Sequence, residues 1–569
     1  MEQRHLQATV ATAFTAILLI GCGGIGKMNK YVENVKYTVD PNPLIVQGDS
    51  VDLNLRGNFP GKYFYKKASV DLTPTLVYAG GETPYKMVCF QGEKAASNCT
   101  VIPYETGKDF TYSNKIAYQP AMEVSELKVR ILGKQGKKEK AFDDVKIADG
   151  VITTPYLMVN DDKVITGADA FQRTTSHSTS AQLNYLVASS NVRPGELSDA
   201  DIKAMSAWVK SIAKNERIVI KSAVMDAWAS PEGELDMNAN LADDRAASGK
   251  AWVKQTLNAN KIAAGKNDSL YVLNANGEDW EGFKKATEAS NFADKDLVLR
   301  VMQMEPDVQK RESQIKDMAA TYKEIAEDIL PGLRRTEIVV NYDKVGYSDE
   351  ELTTMSRTMP DSLNVEELLY AATLTSDMNE KLRIYKECER VHPSDWRGAN
   401  NVGIIHFMQN RMAEAEASFQ KANSTTDNPV STNNLAVIAR QKGDRKKAME
   451  MLKKSGAAGP DVKYNMGLID IQNGNYGSAS TNFGSTNSMN AALAKVLGGD
   501  AAGAQRILEA APDKDSATSH YLMAILGARQ NNGDMVRNHL AQAVAKNPDY
   551  AAKAKKDLEF RAFKDNLGI

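Results

Sequence analysis

The chain has 569 residues, with 70 lysines and arginines against 72 aspartates and glutamates. That balance, with no block of like charge, speaks against a nucleic-acid partner and against a polybasic membrane patch. The length suits about three to four domains, and past the start no apolar run reaches the roughly 18 residues a membrane-spanning helix needs.

The start of the chain reads as a leader. Arg4 precedes a largely apolar run from Ala8 to Ile20, which ends in Leu19-Ile20-Gly21-Cys22. A basic head, an apolar core and a small residue before the cut form the layout of a secretory signal peptide, here residues 1–21. With a cysteine directly after the cut, these residues resemble a bacterial lipobox. The resemblance implies a thioether lipid on Cys22 and anchoring in the outer membrane, where each buried CH2 contributes about 0.8 kcal/mol. The other reading is an ordinary signal peptide with a chance cysteine. Residues 22–31 are glycine-rich (Gly23, Gly24, Gly26) and are expected to form a flexible, lipidated tether. No acidic run follows Cys22, which favours a periplasm-facing body over a surface-exposed one.

Residues 32–177 read as a β-sandwich. Val51-Asp52-Leu53-Asn54-Leu55, Ser69-Val70-Asp71-Leu72-Thr73 and Leu127-Lys128-Val129-Arg130-Ile131 alternate as half-buried strands do. Turn signals at Pro41-Asn42-Pro43, Gly57 to Gly61 and Gly80-Gly81 separate the runs. Cys89 and Cys99 flank a polar turn; they either close a disulfide across a hairpin or stay as two buried thiols. The Ser/Thr-rich stretch Thr174 to Ser180 reads as a linker.

Residues 178–348 read as an α+β domain. A run from Leu183 to Ala188 leads to Ser198, a candidate helix cap with Asp201 in the first turn. The helix spaced by Ile202, Met205, Trp208, Val209 and Ile212 follows, then a strand from Arg217 toward Trp228. A second helix is expected over 241–257, helical sequence over 278–330, and a last strand at Glu337 to Asn341.

Residues 349–569 are helical and repetitive. Gly403, Ala415, Phe419 and Ala422 stand at offsets that return in Ala436, Ala448 and Leu452, in Gly467, Ala479 and Phe483, and in Ala524, Leu540 and Ala543. The stretch from Asn490 to Ala511 carries a shortened first helix. The spacing resembles tetratricopeptide repeats, which implies helix hairpins stacked into an α-solenoid with a concave groove; a generic helical bundle is the alternative. A protein partner is expected in the groove, with Asn400, Asn401, Asn433 and Asn434 as candidate contacts, since they precede the small residue. Plain helix capping or solvation is the other reading of these asparagines.

Between the strand and the second helix, Ala229-Ser230-Pro231-Glu232-Gly233 is followed by Asn238 and Arg245-Ala246. The spacing resembles the C-terminal domain of the OmpA family. That resemblance implies peptidoglycan binding, with Arg245 on a carboxylate of the stem peptide and Asn238 in the matching spacing; Glu232, Asp226 and Asp244 are the alternative substitutes for an aspartate of the family motif. The family aspartate that takes the ligand's ammonium is replaced here by Ser230, so half of the clamp is missing. Arg245 serving only its own fold is the alternative.

No catalytic or metal-binding residues are nominated and no cofactor is expected. The six histidines show no ligand spacing, and no nucleophile elbow or phosphate loop occurs. Asp161-Asp162 and Asp243-Asp244 read as solvated turns or helix starts. The whole chain thus looks like a non-enzymatic envelope scaffold, lipid-anchored in the outer membrane, with accessory roles in assembly or secretion machines, or surface binding, as alternatives.

Overall fold

The structure is a computed structural model and describes residues 24–569; the candidate leader and Cys22 lie outside the described residues. The chain divides into two compact units, one joining the N-terminal part through Gly167 with Pro393–Ile569, the other spanning Ala168–His392. The divisions differ from the expected 177/178 and 348/349. The Ser/Thr-rich stretch is no linker: it lies in the strand Thr174–Asn184, paired antiparallel with Arg335–Val345. Threonine's branched side chain suits a pleated surface, and the exposed face of the strand accepts the serines.

In the first unit the N-terminal part is β-rich. One sheet centres on Ser50–Pro60, which pairs with Lys36–Asp40, Val46–Gln47 and Gly107–Ala117. A second, seven-stranded sheet centres on Ser69–Tyr78 and Ser125–Gln135. Both sheets feed one apolar core, with Val51, Leu53 and Leu55 from the first and Val70, Leu72, Leu127 and Val129 from the second. The alternation seen in the sequence is the burial pattern of these strands.

Two local expectations are corrected. The glycine-rich tether is a helix, Ile25–Lys30, over part of its length; Ile25 and Met28 are buried in the β-rich core, so their apolar side chains dock the segment. The cysteines do not face each other across a hairpin. Val88–Gly92 and Thr100–Ile102 run parallel, with Phe90 opposite Thr100, and this register sets Cys89 beside Cys99 with the sulfurs bonded and the Cα atoms 5.3 Å apart.

The C-terminal part of this unit is a run of tetratricopeptide-like helix hairpins. Trp396–Met408 pairs with Met412–Thr425, Pro429–Gln441 with Arg445–Lys454, and Pro460–Gln472 with Tyr476–Phe483. Met489–Leu497 pairs with Ala501–Ala510, and Ala517–Arg529 with Gly533–Lys546. The repeated small residues have a steric cause. A Cβ at Gly403 would come within 2.6 Å of the Phe419 ring, and one at Gly467 within 2.8 Å of Phe483. The β-rich part rests on the repeats through the Asp49–Arg445 ion pair (2.8 Å) and a Thr154 hydroxyl donating to Glu559 (2.6 Å).

The second unit holds a four-stranded sheet in the order Thr174–Asn184, Arg335–Val345, Ile218–Ala229, Tyr271–Glu278. The helices Ala200–Ile212 and Leu235–Ala259 contribute Ile202, Met205, Val209, Ala246, Val253 and Leu257 to its core. The strand Tyr271–Glu278 pairs parallel with Ile218–Ala229 and was not expected, because only Tyr271 is buried and its residues show no one-sided alternation. At the first helix the cap position is Asp199, not Ser198, and the Asp201 carboxylate instead accepts from the Gln182 N–H at 2.7 Å.

Candidate functional site

The segment after the β-rich part carries no helix or strand from residue 158 to 172. Through Gly167 it runs as an extended strap along the first helices of the hairpins, held there by side chains. Asn401 accepts from the Gly167 N–H at 2.8 Å and donates to the Gly167 carbonyl at 2.9 Å. Asn434 does the same to Ile165 at 2.7 and 2.9 Å. Asn465 does so to Lys163, both bonds at 2.8 Å, and Asn490 to Val159 at 2.9 and 2.8 Å. A carboxamide offers one acceptor and two donors, so it can satisfy both polar groups of one extended residue. In an extended chain the N–H and C=O groups of every second residue face the same side, which is why 163, 165 and 167 meet successive hairpins.

A second row ties the asparagines together. Asn400 and Asn433 donate to the Ile165 and Lys163 carbonyls at 3.1 and 3.0 Å, and also to the neighbouring Asn401 and Asn434 at 3.1 Å. Asn434 donates back to Asn400 at 2.9 Å, and Asn465 to Asn433 at 3.0 Å. All six asparagines are buried. A connected and satisfied network of this kind holds one geometry, because any break strands a buried polar group.

The two-residue rhythm fails at the short helix Met489–Leu497, where the strap steps from Lys163 to Val159. There the Asp161 carboxylate accepts from Asn490 at 2.8 Å and from the Tyr464 hydroxyl at 2.6 Å. Burial first, and Asp161 second, push the Tyr464 hydroxyl pKa up. Beside it, Asp162 is gripped by Arg440, whose Nε lies 2.5 Å from Oδ1 and whose Nη2 contacts Oδ2; Gln441 adds a bond at 2.6 Å. The Arg440 and Asp162 side chains are 2% and 1% exposed. The reading of Asp161-Asp162 as a solvated turn is therefore corrected: both carboxylates serve the groove.

The asparagine pairs singled out in the sequence thus converge on one line, and that line is occupied by the chain's own strap. Asn465 and Asn490 were missed, although Asn465 stands two residues before Gly467 as Asn401 does before Gly403. The repeat offset alone would have found it.

In the second unit Ser230, Glu232, Asn238 and Arg245 line one cavity of about 490 Å³, together with Val187, Met237 and Asp244. Their polar groups are already engaged. The Arg245 guanidinium donates to the carbonyls of Trp228, Ser189 and Leu186 at 2.8, 3.1 and 3.3 Å, and it faces the Tyr185 ring. Among the described residues no carboxylate bonds it, and burial pulls its pKa down to about 10. Glu232 pairs with Arg334 at 2.6 Å and accepts from Ser230 at 2.5 Å. Asn238 donates to Glu278 at 2.7 Å. Among the described residues no group of three or more histidine, cysteine, aspartate or glutamate side chains could hold a metal ion.

No family model matches the chain. No curated protein matches it either. Similar solved structures include the APC/C heterotetramer Cut9–Hcn1, with 12% identity and a TM-score of 0.31 over 59% of this chain and 77% of that one. PilF of Pseudomonas aeruginosa shows 15% identity and a TM-score of 0.30 over 37% of this chain and 98% of its own. A tetratricopeptide repeat protein from Parabacteroides merdae shows 13% identity and a TM-score of 0.29, covering 44% and 99%.

Proposed function

We propose that this protein is a non-enzymatic scaffold of the cell envelope, lipid-anchored in the outer membrane at Cys22, that engages protein partners through its helical repeats. The observation that supports the scaffold reading most is the repeat groove itself, in which buried asparagines hold an extended backbone at both its N–H and C=O groups. Catalysis would need nucleophiles or acid–base pairs converging on a cleft, and the groove carries amide and ion-pair chemistry instead. The anchor rests on Leu19-Ile20-Gly21-Cys22. The test is growth with an alkynyl fatty acid followed by membrane fractionation of wild type and Cys22→Ala. Label and membrane association lost together in the variant are expected; an unlabelled wild-type protein removes the anchor. Accessory roles in outer-membrane assembly or secretion fit the same architecture, as does surface binding, and protease shaving of intact cells separates the last.

A second reading adds peptidoglycan as a ligand of the middle unit. It is favoured by the open cavity that gathers Ser230, Glu232, Asn238 and Arg245, the positions of the OmpA resemblance. It is weakened by the partners those groups already have. Sedimentation of the full chain with purified sacculi decides: no pelleting ends this reading.

A further inference from the structure

We propose that the repeat groove is an exchangeable peptide site, that its ligand class is an extended acidic segment with an aspartate seated on Arg440, and that residues 159–167 occupy it in cis as a competing ligand. The proposal rests on the reading of the repeats as a protein-binding surface and names what that surface accepts.

The strap is bound as a ligand is bound, not as a strand is. Between residues 159 and 167 no described backbone–backbone hydrogen bond ties it to a neighbour; the asparagines supply its partners. Those asparagines read only groups that every extended residue possesses, so they set no sequence preference. Preference comes from Arg440 on Asp162, from Tyr464 and Asn490 on Asp161, and from shallow seats for Val164 and Ile165. Val164 and Ile165 are only half-buried, whereas Leu157, just ahead of the strap, is fully embedded in the repeat core. Residues 159–167 can therefore leave without opening either core, and Leu157 remains as the fixed end. In cis the strap sees the groove at an effective concentration of about millimolar, so a separate peptide competes poorly until the strap is removed or outmatched.

The test uses the full chain with residues 159–167 replaced by a Gly/Ser segment of equal length, and a fluorescent peptide carrying residues 157–168. The expected result is saturable binding to the strap-replaced chain and binding at least about tenfold weaker to the intact chain. A peptide with asparagine at the Asp162 position, or Arg440→Met in the strap-replaced chain, should weaken binding by about tenfold or more. No binding to a folded strap-replaced chain overturns the proposal, as does equal binding of the Asp and Asn peptides or equal binding to the intact chain. Should the replaced chain fail to fold, hydrogen exchange at Val159, Lys163, Ile165 and Gly167 in the intact chain decides. Exchange well ahead of the repeat core supports a separable strap; exchange only with global unfolding overturns it. A strap-replaced chain that binds the peptide yet retains no envelope protein would keep the site and count only against the scaffold reading.

Discussion

The repeat groove and the cavity of the middle unit each bury an arginine almost completely, and they resolve its charge in opposite ways. Arg440 meets the Asp162 carboxylate, with Gln441 on the same carboxylate and Asn160 on its own Nη2. Arg245 meets only carbonyl oxygens and the face of Tyr185, and burial lowers its pKa. The first arrangement holds a distant segment of chain at the site, because while the strap is seated each charge is shut off from water and needs the other. The second serves its own loop: the guanidinium ties Leu186 and Ser189 to Trp228 and has no acid to exchange. The same residue type at the same burial is thus a clamp in one place and a brace in the other, and the difference lies in whether the partner is charged.

The largest effect expected follows from breaking the clamp on one side. Asp162→Asn keeps the shape and leaves Arg440 buried without a counter-charge, which should lower stability by about 3–5 kcal/mol. Urea unfolding of the full chain checks this, with limited proteolysis reporting cleavage within 159–167. Asp162→Leu combined with Arg440→Met should recover most of the loss, since apolar replacement of a buried pair is often neutral or better. If the double variant is as unstable as the single, the pair is not what fixes the strap. Next in size is Asn465→Ala, which strands the N–H of Lys163 and the Oδ1 of Asn433 and leaves the Lys163 carbonyl to Asn433 alone. A loss of about 1–3 kcal/mol is expected, and faster amide exchange at Lys163 and Ile165 than at Ile469 is its signature.

These two regions were not equally legible. The repeats announced themselves because Gly403 and Gly467 must lie flat against Phe419 and Phe483, a steric need that repeats with the helices. Strands such as Ser50–Pro60 were visible because one face is core and the other is wet. The strap was invisible for the converse reason. Its partners are side chains some 230 to 330 positions away, so its own residues carry no periodicity, and two aspartates beside a lysine look like a surface turn. Asn400, Asn401, Asn433 and Asn434 could be nominated from their place before the small residue, but not what they hold. At the cavity, spacing named four residues that line one pocket; that Arg245 is already taken by Leu186, Ser189 and Trp228 depends on how the loop after Thr174–Asn184 turns, which no motif encodes.

The brace gives the third prediction. Arg245→Met leaves three carbonyls short of a donor and also removes an isolated buried charge, so the two terms partly cancel. A loss of about 1–2 kcal/mol is expected in the middle unit, clearly less than for Arg440→Met, which leaves Asp162 uncompensated. Paired urea titrations of the two variants read this directly, and equal losses would erase the distinction between clamp and brace.

The smallest effect concerns a buried acid that has no arginine bonded to it. Asp557 is held by the Tyr521 hydroxyl at 2.8 Å and by the Glu559 N–H at 3.0 Å, and burial pushes its pKa up to about 6. A raised carboxyl pKa means the folded chain binds the proton more tightly than the unfolded chain, whose aspartate titrates near about 4. Stability from this group is therefore greatest below about pH 4, falls as pH rises toward 6, and is flat above. Lowering the pH from about 7 to about 5 should stabilise wild type relative to Asp557→Asn by on the order of 1 kcal/mol, the asparagine keeping the acceptor but not the charge. Urea midpoints of both proteins at the two pH values measure the difference. A constant gap would mean that a counter-charge offsets the burial of Asp557.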